Sequence, residues 1–332
     1  MKKDNSQIEF NPEQELENIA TLGEQNGLVL FLGAGVTADN VLTWNDLLDE
    51  LLKRALQVRS ESNGVGGLDV QDIETLAESK DITPERKATL VKRLFGKSYL
   101  SQLRHYLYNG KKDDERYKSS KTHLLDAVVK LCESPNIIAI VNYNFDDFLF
   151  EELKKIRKCR VIAGQQAHER GFTTKYPKKI FLPIFHIHGY LPKSDRLPIE
   201  KESALVFAQD EYFQNMFAPF SWQTTTQLHF LRNYTVLFIG TSLSDANMAR
   251  MLHHAINTEP TATKFALFSL EDLLSGTQFK IAMKNQQVTP VQRASIKLRT
   301  TILDDFDVKV VIPGWKRVDV TCAVERLAKK YE

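Results

Sequence analysis

The segment LVLFLGAGVT, residues 28–37, decides the predicted fold. Its first five residues, 28–32, are all apolar, and such a run is typical of a strand buried on both faces in a parallel sheet. Two glycines follow, and residues 43–58 then place apolar side chains at helical spacing, with Thr43 as the predicted N-cap. This order predicts a strand, a tight glycine turn and a helix.

The same alternation continues along the chain. A second continuous apolar strand is predicted at 233–240. Further strands are predicted at 136–141, 159–164, 179–189, 264–270 and 307–314, and helices at 12–26, 244–257 and 320–331. Strands that alternate with helices predict an α/β fold, a Rossmann-like doubly wound parallel sheet.

Residues 60–130 interrupt this alternation. They contain several short helical patterns and no convincing strand, with predicted loops at 61–67 and 111–121. We therefore expect one domain over 1–332, with a helical insertion at 60–130 and an N-terminal extension at 1–20.

Composition excludes several classes of protein. The 332 residues include 44 basic and 42 acidic side chains, a net charge of only +2, so the chain is not a polycationic nucleic-acid binder. Three scattered cysteines are too few for a four-cysteine zinc ribbon and are expected to be reduced. With neither a secretory signal nor a membrane-length apolar run, we expect a soluble cytoplasmic protein.

Four short segments that follow predicted strands carry candidate chemistry. The first is Gly33-Ala34-Gly35 with Thr37. Glycines at this point allow a tight turn and let the backbone approach a phosphate closely, while a following helix directs its first amides at the anion. Position 38 is Ala, so the third glycine of a dinucleotide loop is absent, and a plain strand-to-helix turn is the alternative.

The second segment, residues 142–147, follows the strand predicted at 136–141. Ligands bind outside the carboxyl ends of strands in open α/β sheets, which makes this polar cluster a candidate site. The alternative is an ordinary turn in which Asp146 or Asp147 caps the next helix.

The third segment contains His186 and His188, which strand alternation places on the same face. Because no cysteine or carboxylate lies at ligand spacing, a single base, His188, is favoured over a metal pair. A hydrogen-bonded core histidine is the remaining alternative.

The fourth segment is Gly240-Thr241-Ser242, after the second continuous apolar strand. Small hydroxyl residues and backbone amides there can bind a phosphate or a ribose. The alternative is a routine turn in which Ser244 caps the helix that follows.

In this order the four segments resemble the sirtuin-like (silent information regulator type) NAD-consuming domains. That family has Gly-Ala-Gly with a nearby hydroxyl residue, then an Asn-x-Asp segment, then His-Gly, then Gly-Thr-Ser. The counterparts here are Gly33-Ala34-Gly35 with Thr37, Asn144 with Asp146, His188-Gly189, and Gly240-Thr241-Ser242.

The chain is also similar to the zinc-less bacterial branch found in anti-phage defence systems. The residues that carry this similarity are Trp44, Leu47, the acidic-Tyr element at 210–212 and the Ser-Asp-Ala-Asn element at 244–247. Asn142 and Tyr143 depart from the family, which has Thr and then Gln or Thr at these positions. The zinc ribbon of protein-deacylating sirtuins is excluded by the cysteine count.

The resemblance implies cleavage of the nicotinamide–ribose bond of NAD+ without a metal. It implies that Asn144 orients the ribose or the attacking water, that His188 is the general base and that Asp146 shapes the nicotinamide side. It assigns Gly33, Ala34, Gly35 and Thr37 to the pyrophosphate, and the Gly240-Thr241-Ser242 turn to the adenosine side.

The leading hypothesis is an NAD+ hydrolase that starves an infected bacterial cell of NAD+. The alternatives are a protein deacylase or ADP-ribosyltransferase, and a non-enzymatic module that binds NAD or ADP-ribose.

A free NADase would kill its host, so we expect the activity to be restrained by a partner. Too few residues precede the first strand for a sensor domain on this chain, so we expect a separately encoded ATPase or nucleotide-sensing activator. We also expect a homo-oligomer whose contact surface is the insertion at 60–130, and neither direct nucleic-acid binding nor membrane association.

Overall fold

The computed structural model describes residues 11–61, 69–79, 81–110, 123–164, 181–194, 205–256 and 262–332. Most of the two predicted loops at 61–67 and 111–121, and half of the predicted N-terminal extension, lie outside these ranges.

Seven strands form one parallel sheet, which confirms the predicted Rossmann-like α/β fold. The strands are β1 Leu28–Leu32, β2 Ile137–Asn142, β3 Cys159–Ile162, β4 Leu182–His186, β5 Thr235–Ile239, β6 Lys264–Leu267 and β7 Val308–Val311. Their order across the sheet is β3-β4-β2-β1-β5-β6-β7. The predicted apolar run at 28–32 is the central strand, with β2 on one side and β5 on the other.

Fourteen α-helices lie within the described residues. They are α1 Glu13–Asn26, α2 Trp44–Glu61, α3 Val70–Ala77, α4 Pro84–Phe95, α5 Tyr99–Asn109, α6 Leu124–Leu131, α7 Phe148–Ile156, α8 Gln209–Met216, α9 Trp222–Asn233, α10 Ala246–Ile256, α11 Leu270–Leu273, α12 Gly276–Asn285, α13 Pro290–Asp304 and α14 Arg317–Lys330. None of them is long and apolar enough to cross a membrane.

The central strand β1 supplies both cores of the sheet, because successive side chains of a strand point to opposite faces. Leu28, Leu30 and Leu32 lie in one core, which α1, α6, α7 and α14 complete. Val29 and Phe31 lie in the other, together with apolar residues of α9, α10 and the last third of the chain. All five side chains of β1 are buried, as the apolar run predicts.

A third core, here called the helical cluster, consists of α2, α3, α4 and α5 with the segment 205–208 packed against them. Its apolar residues come from these helices and from Leu191. The cluster includes α2, which lies before the predicted insertion at 60–130. It does not include α6, whose buried residues lie in a core of the sheet.

The order in which strands are added to the sheet reverses at β1. From β1 the chain passes to β2 on one side of the sheet, and it later returns to β5 on the other side. Such a switch point opens a crevice at the carboxyl ends of the flanking strands. The segments after β1, β2, β4 and β5 therefore meet at one edge of the sheet.

Candidate active site

The glycine turn after β1 packs directly on the turn after β5. The amide of Gly33 donates to the carbonyl oxygen of Ile239 at 3.1 Å, and the amide of Gly35 donates to that of Gly240 at 2.8 Å. A Cβ atom on Gly35 would lie 2.8 Å from the Cα of Gly240. Gly240 itself has φ +66, and a Cβ atom there would lie 2.6 Å from the amide nitrogen of Val36. The glycines are thus required for contact between the two turns.

The turn differs from the prediction in one respect. A single 3-10 turn, Ala34–Val36, follows β1, and the long helix α2 begins only at Trp44. The amides of Gly33 and Gly35 are engaged by backbone oxygens, so they do not face an anion as a helix N-terminus would. Thr43 caps α2 as predicted, because its Oγ1 accepts from the amide of Asp46 at 3.3 Å.

Three predicted site residues form one buried network, here called the Asn144 cluster: Thr37, Asn144 and Asp146. Asn144 Nδ2 donates to the carbonyl oxygen of Gly33 at 3.1 Å and to Thr37 Oγ1 at 3.3 Å. Thr37 Oγ1 in turn donates to Asp146 Oδ2 at 3.0 Å. All three side chains are buried. The network joins the ends of β1 and β2 and fixes the orientation of the Asn144 amide.

Asp146 is the residue that meets the first turn of α7. Its Oδ1 accepts from the amide of Phe148 at 3.2 Å, whereas Asp147 Oδ2 accepts from the amide of Lys193 at 2.8 Å. Burial raises the pKa of Asp146 to about 6, with the hydrogen bonds from Thr37 and Phe148 acting in the opposite direction. This carboxyl therefore gains a proton in weakly acidic solution.

His188 lies just beyond the end of β4, in what is here called the His188 pocket, formed by the rings of Tyr143 and Phe145. Its ring centroid is 5.2 Å from that of Tyr143 and 6.5 Å from that of Phe145. Its Nε2 is buried and has no hydrogen-bond partner in the part of the chain that the structure describes. A buried polar atom without a partner is costly, so this nitrogen is suited to a bound hydroxyl group.

The ring of His188 is neutral near pH 7. Burial lowers its pKa, and the Asp245 carboxylate and a hydrogen bond to the backbone of Tyr143 partly offset that effect. Because Nε2 has no partner among the described residues, we assign the hydrogen bond with Tyr143 to Nδ1. A neutral imidazole that donates through one nitrogen has its lone pair on the other, so Nε2 can accept a proton.

His186 has different surroundings, although strand alternation predicts one face for both histidines. Strand β4 ends at His186, so the alternation does not extend to His188. Nδ1 of His186 donates to the carbonyl oxygen of Asn144 at 2.9 Å, and its ring lies 4.7 Å from that of Tyr190. Burial lowers the pKa of His186 to about 4, so this histidine is a neutral support for the backbone of Asn144. Its Nε2, like that of His188, has no hydrogen-bond partner among the described residues, but His186 is almost completely buried whereas His188 is half-buried.

The described residues contain no group of three or more His, Cys, Asp or Glu side chains that could hold a metal ion.

The turn after β5 exposes its hydroxyl groups. Ser242 Oγ lies 2.7 Å from Ser244 Oγ, and both residues are exposed. Thr241 Oγ1 accepts from the amide of Leu243 at 3.3 Å. The alternative in which Ser244 caps the next helix is wrong. Helix α10 begins at Ala246, and Asp245 Oδ1 accepts from the amide of Asn247 at 2.7 Å.

Sequence reasoning missed several residues that support the site. Tyr143, noted only as a departure from the family, donates its hydroxyl to Gln227 Oε1 at 2.6 Å and forms a wall of the His188 pocket. Tyr108 of the helical cluster accepts from the amide of Asp147 at 2.9 Å and donates to the carbonyl oxygen of Leu191 at 2.8 Å. No sequence spacing indicates these contacts, because each joins distant parts of the chain.

Residues 138–291 match the family model of the SIR2-like domain. This part of the chain is similar to a SIR2-like domain. The match includes Asn144, Asp146, His188 and the turn at 240–242, while the glycine turn at 33–37 lies before it. A comparison with curated proteins found no significant match. The match confirms the predicted sirtuin-like resemblance. Because SIR2-like domains use NAD+, it supports a function related to NAD+.

Proposed function

We propose that this protein is an NAD+ glycohydrolase, which converts NAD+ and water to nicotinamide, ADP-ribose and a proton. The observation that carries the proposal is the His188 pocket, where a neutral imidazole has its lone-pair nitrogen buried and without a partner among the described residues. Such a group is a suitable acceptor for the proton that a ribose hydroxyl or water loses.

The reaction depends mainly on correct positioning of the ribose and the attacking water. Nicotinamide leaves with the bonding electron pair and thereby neutralises its own cationic ring, so positive charge develops on the ribose in the transition state. Such a state is stabilised by fixed dipoles and by correct placement of water. The Asn144 cluster supplies a side chain whose amide is held by Gly33 and Thr37, with its amide oxygen available to the ribose or the water.

We assign the remaining family positions by their place in the site. Asp146, beside Asn144, is placed at the nicotinamide side. The turn 33–37 is assigned to the pyrophosphate, and the exposed hydroxyl group of Ser242, beside the partly exposed Thr241, to the adenosine side. No step requires a metal.

We further propose that the reaction depletes NAD+ during anti-phage defence and is switched on in trans. The predicted insertion at 60–130, whose described part includes α3, α4 and α5 of the helical cluster, is the proposed contact surface, for a separately encoded ATPase or nucleotide-sensing activator or for a second copy of this chain. Tyr108 supports this choice, because it links α5 of the cluster to the backbone at Asp147, next to the Asn144 cluster.

The deciding experiment incubates the purified protein with NAD+, with and without its candidate activator, and measures nicotinamide release by chromatography. Release of nicotinamide with equal ADP-ribose supports the hydrolase. Release that requires an acylated peptide or labels a protein indicates a deacylase or an ADP-ribosyltransferase. Binding of NAD+ without release under both conditions would overturn the hydrolase and favour a binding module.

A further inference from the structure

Helix α8 lies beside the loop that precedes α10. The hydroxyl of Tyr212, on α8, donates to Asp245 Oδ1. The amide of Asn247 donates to the same carboxylate oxygen at 2.7 Å and lies 3.3 Å from the Tyr212 hydroxyl oxygen. Tyr212 and Asp245 are therefore fixed against each other and against the first turn of α10.

This arrangement adjoins the His188 pocket. Met248, in the first turn of α10, has its sulfur 3.9 Å from the Tyr143 hydroxyl, and the Tyr143 ring packs on His188. The Asp245 carboxylate is close enough that its charge raises the pKa values of His188 and Tyr143. The proposed base thus has one fixed negative charge nearby.

We propose that Tyr212 and Asp245 are positioning residues for His188: Asp245 stabilises the protonated imidazole by charge, and Tyr212 holds the Asp245 carboxylate in place. The inference rests on the proposed function, because it concerns the proton that the reaction transfers. It gives a role to two residues for which the sequence motifs alone provide none.

The proton balance is simple. Nε2 of His188 accepts the proton of a ribose hydroxyl or of water and becomes an imidazolium. Asp245 and Tyr212 exchange no proton during the step. The imidazolium then returns its proton to solvent.

Helix α8 is itself anchored to the helical cluster. Glu211 forms an ion pair with Lys92 of α4, and its Oε2 accepts from the amides of Phe207 and Ala208 at 3.0 and 2.8 Å. The amide of Gln209 donates to Thr89 Oγ1 of α4 at 3.1 Å. These contacts place Tyr212 on a rigid support, which a residue that must fix a carboxylate requires.

The charged and titratable groups that face His188 come from three elements of the described chain. They are Tyr143 after β2, Asp245 before α10, and Tyr212 of α8 through Asp245. Asp245 is the acidic side chain among them, so its replacement by an amide changes the electrostatic field at His188 directly.

The first test measures the His188 ring without using catalysis. The pKa of His188 is followed by NMR of protein with isotope-labelled histidine, and its signal is assigned by loss in His188→Gln. In Asp245→Asn, which keeps the size and the acceptor oxygen, we expect this pKa to fall by at least about 0.5. Asp245→Glu should restore most of it, and the matched control Asp305→Asn, which removes an exposed carboxylate on the far side, should not change it.

The second test is kinetic. Asp245→Asn should lower kcat at least about 10-fold with little change in KM, because the imidazolium exists only during turnover. Tyr212→Phe should lower kcat less and in the same direction. In a His188→Ala background, Asp245→Asn should cause no further loss, since the pair acts through His188.

An unchanged His188 pKa in Asp245→Asn, or an equal loss of activity with and without His188, would overturn the positioning role. Should Asp245→Asn not fold, Tyr212→Phe, which removes the hydroxyl group that holds the Asp245 carboxylate, carries the same two measurements with a smaller expected effect of the same sign. If the pKa of His188 falls in Asp245→Asn as expected while the wild-type protein releases no nicotinamide, the effect of Asp245 on His188 is supported and the proposed hydrolase activity is overturned.

Discussion

The Asn144 cluster and the His188 pocket lie at the same edge of the sheet and are built in opposite ways. In the Asn144 cluster the side-chain amide donates to two oxygens, and the carboxyl of Asp146 accepts from Thr37 and from a backbone amide. In the His188 pocket the important nitrogen has no partner within the described residues. The side chains of the Asn144 cluster form hydrogen bonds within the protein, whereas Nε2 of His188 is an acceptor that a bound molecule can use.

This difference separates two tasks. A group that orients a substrate must be fixed before the substrate arrives, and its fixed hydrogen bonds stabilise the fold as well. A group that accepts a proton must keep a free lone pair, and its burial without a partner costs stability. We therefore expect changes in the two regions to affect stability and activity in different proportions.

The largest expected effect follows from removal of the free acceptor. His188→Ala should lower nicotinamide release by about 10²- to 10⁴-fold, the usual contribution of a general base. The folded state should survive, because Nε2 makes no hydrogen bond within the described chain. Steady-state kinetics and thermal unfolding check both statements, with His188→Gln as the variant of similar size. Near-normal turnover in a folded His188→Ala would sink the assignment of the base.

Removal of the Asn144 side-chain amide should lower both activity and stability. Asn144→Ala is expected to lower turnover at least about 10²-fold, because the orienting group is lost. It should also lower the free energy of unfolding by about 1–3 kcal/mol, since Gly33 and Thr37 lose a buried donor. Urea unfolding measures this difference. A loss of activity with unchanged stability would show that the Asn144 cluster is not a structural network.

The two regions depend on the contact between the turns after β1 and β5. Gly240→Ala should lower the free energy of unfolding by about 1–3 kcal/mol, because φ is +66 and the new Cβ atom would lie 2.6 Å from the amide nitrogen of Val36. Gly276→Ala is the control, since no atom lies within 4 Å of its new Cβ. Equal thermal stability of the two variants would contradict the close packing of the turns.

A pH dependence of stability should come from Asp146. Its pKa of about 6 in the folded state lies above the ordinary value of about 3.9, so the folded state binds the extra proton between these values. The wild type should therefore gain about 1 kcal/mol relative to Asp146→Asn as the pH falls from about 7 to about 5. Urea unfolding of both proteins at the two pH values measures the difference. A gap that stays constant would show that the carboxyl is ionised throughout.

The smallest effect is expected from removal of metal ions, which should not change the activity. Because no step of the proposed reaction uses a metal, a strong chelator should leave nicotinamide release unchanged. Activity abolished by the chelator and restored by zinc would contradict the metal-free proposal.

The strands were predictable where burial alone determines them. The runs at β1 and β5 contain only apolar residues or threonine, and both strands form where the pattern places them. The start of β4 was predicted three residues early, because LPIFH is bounded by further apolar and basic residues. Helix α9 was not predicted, since it buries Thr224, Thr226 and Gln227 and lacks a simple apolar stripe.

The site was predictable in position more than in contacts. Parallel strands bring their carboxyl ends to one edge, so the meeting of Thr37, Asn144 and Asp146 followed from the fold. The link between Tyr212 and Asp245 could not be predicted, because it depends on how α8 packs against the start of α10. The contact that requires glycine at position 240 could not be predicted either, because it depends on how closely the backbones of two distant turns approach each other.

The position of β1 at the centre of the sheet has a consequence for how this chain folds. In the sequence, helices α2 to α6 lie between β1 and its neighbour β2, and β2, β3, β4 and helices α7 to α9 lie in addition between β1 and its other neighbour β5. Long loops must close before β1 can pair, and such topologies fold slowly and expose apolar strands to neighbouring chains in the meantime. During synthesis, the five apolar residues of β1 leave the ribosome well before either partner strand exists. We expect the nascent chain to depend on chaperones more than its final, fully buried central strand indicates.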